Sequence, residues 1–226
     1  MSQSDDHLTL RPLRTPGAAS IAGIIFSVLL STILILDRVF IQIDSSEVWP
    51  ETGAKAAALA LALVPFAGIA FLWFIGVVRD HLGHLEDQFF STIYFGSGLL
   101  FLAMLFVWAA IAGSILTRFD PDAETLIDLS TYAFGRMYMD EIISVYALRM
   151  AGVFVASLGM VWNSTGAMPR WLAIITLVVA LGLLVVVGFI SFLWWVPLSF
   201  PAWVFLVSIY ILRTSRFGQQ RTEVEA

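Results

Sequence analysis

The chain contains no cysteine. That excludes a disulfide framework, a thiol nucleophile and any cysteine-ligated metal. Charge is scarce as well, 13% of 226 residues against about a quarter in a soluble domain. The charges sit in links and ends, so the formal net charge of −5 says little about partners, and no basic patch marks a nucleic-acid surface. The three histidines, His7, His81 and His84, all fall outside the apolar runs, which leaves no intramembrane pair for haem. No lysine lies inside a run to form a Schiff base. HExxH, GxSxG, Walker and GxGxxG patterns are missing. These absences predict no cofactor, no metal, no catalytic residue and no nucleic-acid partner.

Long apolar runs fill the chain instead. Hydrophobic residues make up 59% of it and the mean hydropathy is +0.89. Runs of this length predict membrane spans rather than an outsized core. Six are legible, over 18–36 with an apolar continuation at 39–43, then 56–78, 89–117, 137–162, 171–196 and 197–212. Pro65 inside the second predicts a kink. Between the third and fourth, 118–138 opens with Asp120 as a helix cap and Pro121 at the first helical position. Apolar residues at helical spacing follow, which predicts an amphipathic helix on the membrane surface. The predicted fold is therefore all-α, a polytopic bundle of six transmembrane helices plus that surface helix. A polar N-terminus (1–17) and a polar, frayed tail (214–226) flank one transmembrane domain (18–213).

Six spans put both termini on one side. Arg11, Arg14, Arg79, Arg170, Arg213, Arg216 and Arg221 would lie there, against Arg38, Lys55, Arg118 and Arg136 on the other. That bias predicts cytoplasmic termini.

Arg149 stands near the middle of the fourth run, between Leu148 and Met150. A guanidinium cannot escape its charge by deprotonating, and at bilayer depth it costs about 2.5–3.5 kcal/mol on insertion scales. Something must receive it. No carboxylate occupies the middle of any run. Asp37, embedded between apolar stretches at the end of the first, is the expected main partner; Glu141 and Tyr146 on the same run are the others. Gly152 and Ala156 form a small-xxx-small step for close helix approach. Two further clusters have simpler readings. His81, His84 and Asp87 drift around a helix interrupted by Gly83 and read as a surface link. Asp120, Asp122, Glu124 and Asp128 lack the central glycine and closing glutamate of a calcium loop and read as helix-start acids. Gly96-Ser97-Gly98 reads as helix-packing material.

At VPFAGIAFLWFIGVVRDHLG, FFSTIYFGSGLLFLAMLF, YALRMAGVF and MPRWLA the chain resembles uncharacterised bacterial multi-pass integral membrane proteins of about six spans. The resemblance implies a bacterial inner-membrane home and supplies no activity or site residue. The expected function is small-molecule binding or transport through a helix-bundle cavity near Arg149. The alternative is a non-catalytic structural or accessory subunit of a membrane complex. The expected partners are the lipid bilayer, a small-molecule ligand, and a protein partner or second copy of the chain.

Overall fold

The computed structural model describes residues 16–37, 51–82, 88–117, 129–166, 168–186 and 195–224. Among them the secondary structure is helical throughout, without strands. With no water to satisfy backbone amides, a spanning segment must close its hydrogen bonds internally, and the helix does so. The α-helices are α1 (Pro16–Leu36), α2 (Glu51–Leu82), α3 (Gln88–Leu116), α4 (Leu129–Glu141), α5 (Leu148–Thr165), α6 (Arg170–Leu181) and α7 (Ser199–Val224). A π-helical segment, Ile142–Ala147, joins α4 to α5 without a break, and a second, Gly182–Val186, extends α6.

Four helical stretches are long and apolar enough to cross a membrane: Lys55–Arg79, Phe89–Leu116, Ala133–Asn163 and Val196–Thr214. Two shorter apolar helices, Ser20–Leu36 and Arg170–Val185, accompany them. The expected surface helix starts in residues that lie outside the described ones. From Leu129 its remainder is the upper part of a long helix that continues through α5. The tail also differs from expectation, because α7 runs to Val224 rather than fraying after Arg213. Proline at 65 does not end α2, which is helical on both sides of it. Between the fourth and fifth runs the chain turns tightly: α5 stops at Gly166, the one positive-φ residue (65°) among those described, and Pro169 stands at the N-cap of α6.

α1 packs chiefly on α2 and α7, α3 on α5 and α2, and α5 on α6. Lipid tails are as apolar as leucine, so hydrophobicity does not draw spans together; close packing does. Here the packing is aromatic. Phe71 of α2 lies 4.5 Å from Phe26 (α1), 5.4 Å from Phe101 (α3) and 5.3 Å from Phe154 (α5), centroid to centroid. Phe200 of α7 closes the cluster 4.9 Å from Phe101. Such ring pairs add about 0.5–1.5 kcal/mol each beyond the area they bury. The Gly96-Ser97-Gly98 step serves this core. A β-carbon on Gly98 would stand 2.8 Å from Ile75 and 3.2 Å from Phe154, while the buried Ser97 hydroxyl donates back to the Ile93 carbonyl at 2.7 Å.

Candidate functional site

Arg149 lies two residues beyond the π segment, near the middle of the Ala133–Asn163 stretch. The Leu148 amide donates to the Ile143 carbonyl, five residues back. A π turn takes about 4.4 residues against 3.6 for an α turn. Over the eight steps from Glu141 to Arg149 this brings the two side chains within about 30° of each other around the axis; an uninterrupted α-helix would leave about 80°. The π segment therefore lines Glu141 up with Arg149.

The row they share faces outward. Glu141, Tyr146 and Met160 are exposed, and Val145, Arg149, Val153 and Ala156 are half-buried along it. The opposite face of the same helix, with Ala147, Leu148, Ala151, Phe154, Val155 and Leu158, is buried in the bundle. To one side Gly152 lets α5 approach the second π segment, since a β-carbon there would meet Leu184 at 2.9 Å. Arg149 thus emerges at the flank of the bundle.

Its guanidinium leans along its own helix. Nη1 donates to the Val145 carbonyl at 3.5 Å, at the weak end of hydrogen bonding. Among the described residues no carboxylate pairs with it. Asp37 closes α1, whose principal neighbours are α2 and α7, so the structure does not bring it to Arg149 as the sequence reading expects. Asp37 makes its interactions elsewhere. Of the four expected site residues, Glu141, Tyr146 and Arg149 share one outward surface and Asp37 stands apart.

Among the described residues, other side chains line a groove and a cleft. A groove of about 380 Å³ between α1 and α2 is walled by Ile21, Ile25, Phe66, Ile69 and Trp73, with Ala22 and Ala70 at its floor. A small cleft near Leu61, Ile115 and Met139 is bordered by Arg136. Neither is lined by Arg149. Among the described residues no group of histidine and carboxylate side chains is placed to hold a metal. Gly83, His84 and Asp87 and the acidic residues 120–128 lie outside the described residues.

Sequence reasoning missed one polar contact between helices. Trp203 Nε1 of α7 donates to Thr176 Oγ1 of α6 at 2.9 Å, and that hydroxyl donates to Leu172 O at 2.8 Å, both buried. A threonine and a tryptophan 27 residues apart give no local signal. Compared with protein-family models, curated proteins and solved structures, the chain matches none.

Proposed function

We propose that the protein is a bacterial inner-membrane protein of six spans with cytoplasmic termini. It works as a non-catalytic binding or accessory component through the outward face of the α4–α5 helix. The span count is supported by α1, whose 21 residues rise about 31 Å, and by the apolar sequence 187–194 that follows Arg170–Val185. Basic residues favour the side that carries the termini.

The observation that carries the functional reading is the contrast between inside and outside. A route through the bundle would need polar groups on its inner faces. The described inner faces carry Phe71, Phe101, Phe154 and Phe200, and the Ser27, Ser157 and Thr176 hydroxyls donate to carbonyls of their own helices. The mid-span charge stands outside, beside Tyr146.

A photo-crosslinking residue at Met160, irradiated in native membranes, tests this reading alongside solute uptake by reconstituted vesicles. Crosslinks that weaken in Arg149→Gln are expected. Solute uptake that Arg149→Gln abolishes, with no crosslink at Met160, would return the function to transport through the bundle.

A further inference from the structure

We infer that the row from Glu141 to Arg149 is a binding site for the headgroup of a zwitterionic glycerophospholipid, with the phosphate on Arg149 and the amine on Glu141. The inference rests on the outward-face reading above and names its ligand.

The first argument is depth. Between Glu141 and the polar link that starts at Asn163, residues 142–162 carry no carboxylate and make about 31 Å of helix, which matches the hydrocarbon thickness of a bilayer. Glu141 then marks one boundary and the Arg149 backbone lies about 12 Å or less inside it. An α-helical side chain leans toward the N-terminus of its helix, here toward Glu141, and the Nη1 contact with Val145 holds the guanidinium on that side. This is the geometry of an arginine stem lying in hydrocarbon with its head reaching for the interface. Soluble phosphate does not come to that depth; a lipid phosphate stands just above it.

Charge order along the membrane normal is the second argument. The cation is inner, and Glu141, with exposed Asp140 beside it, is outer. A purely anionic headgroup on Arg149 would meet two carboxylates above it. A headgroup with an inner phosphate and an outer ammonium, two carbons apart, satisfies both ends of the row. It fits a gap of roughly one helical turn between guanidinium and carboxylate. Guanidinium and phosphate pair in a bidentate fork, and the exposed Tyr146 phenol offers a further donor on the same face. The π segment is what puts both charges on one face.

Third, the row continues past Arg149 as Val153, Ala156 and Met160, an apolar strip running deeper into the bilayer. That is where the acyl chain of a lipid held at Arg149 would lie.

Native mass spectrometry of the whole protein in mild detergent, with phosphatidylethanolamine or phosphatidylglycerol added, tests the site. The wild type should retain phosphatidylethanolamine in preference. Arg149→Gln should weaken retention about tenfold or more, with part of it restored by Arg149→Lys. Glu141→Gln, at an exposed position, should lower phosphatidylethanolamine retention to the level of phosphatidylglycerol and so erase the preference; Arg79→Gln at the far end of α2 should change neither. Equal retention of both lipids by the wild type, or retention unaffected by Arg149→Gln, overturns the site. If Arg149→Gln does not fold, an unchanged preference in Glu141→Gln overturns it alone. A protein crosslinked at Met160 in place of lipid also overturns it, while leaving the outward-face reading standing.

Discussion

Replacing Thr176 by valine should destabilise the bundle by about 1–2 kcal/mol. The exchange keeps the side chain's shape and removes one acceptor. In the native protein Trp203 Nε1 donates to Thr176 Oγ1 at 2.9 Å, with Thr176 0% and Trp203 2% exposed. A hydrogen bond between membrane helices is worth on average about 0.6 kcal/mol and at most about 1.7. The larger effect is the indole N–H left behind in a dry site, which costs about 1–3 kcal/mol when nothing replaces its partner. Trp203→Phe removes the donor and also alters ring packing against Trp162 at 5.8 Å and Phe154 at 6.3 Å, so its own cost will exceed the hydrogen bond. In that background Thr176→Val should cost less than about 0.5 kcal/mol, because no donor remains to strand. Thr176→Ser keeps the acceptor and loses the methyl group that faces Gly159. Thermal unfolding of the four proteins in one detergent gives the double-mutant cycle. Equal costs for Thr176→Val in both backgrounds would refute the idea that the indole bond ties α6 to α7.

Gly23→Ala should cost about 1–3 kcal/mol in the same assay, because its β-carbon would overlap Ser208 Oγ and lie 2.7 Å from Phe74. Ser208→Ala should recover part of that loss and be near neutral alone, since the buried Ser208 hydroxyl has no hydrogen-bond partner among the described residues. Asp37→Asn and Arg149→Gln should act additively within about 0.5 kcal/mol, as residues on helices that are not principal neighbours do; coupling above about 1 kcal/mol would restore the ion pair expected from sequence. Reporter fusions after residue 226 and within 120–130 should read opposite sides of the membrane, and a shared side would remove the six-span topology.

Composition alone determined the class of this protein. Backbone amides cannot go unpaired in hydrocarbon, so long apolar runs separated by short polar links become helices whatever their neighbours. The packing role of the Gly96-Ser97-Gly98 step follows as directly, from the room a missing side chain leaves at Gly98. The presence of one charge deep in a run was also legible at Arg149.

Which way that charge points was not. In water an amphipathic stripe tells the inside of a helix from its outside; in a bilayer both sides are apolar. Phe101 is buried while Phe106, on the same helix, is 44% exposed, and nothing in their chemistry distinguishes them. The neighbours of each helix were hidden for the same reason, which is why Asp37 was a reasonable partner for Arg149 in sequence and is not one in space. The remaining decision belongs to the π segment Ile142–Ala147. Its wider turn rotates everything after it, placing Arg149 below Glu141 on the outward face. A rotation of that kind arises from how the helix settles against α3 and α6, and only the assembled bundle fixes it.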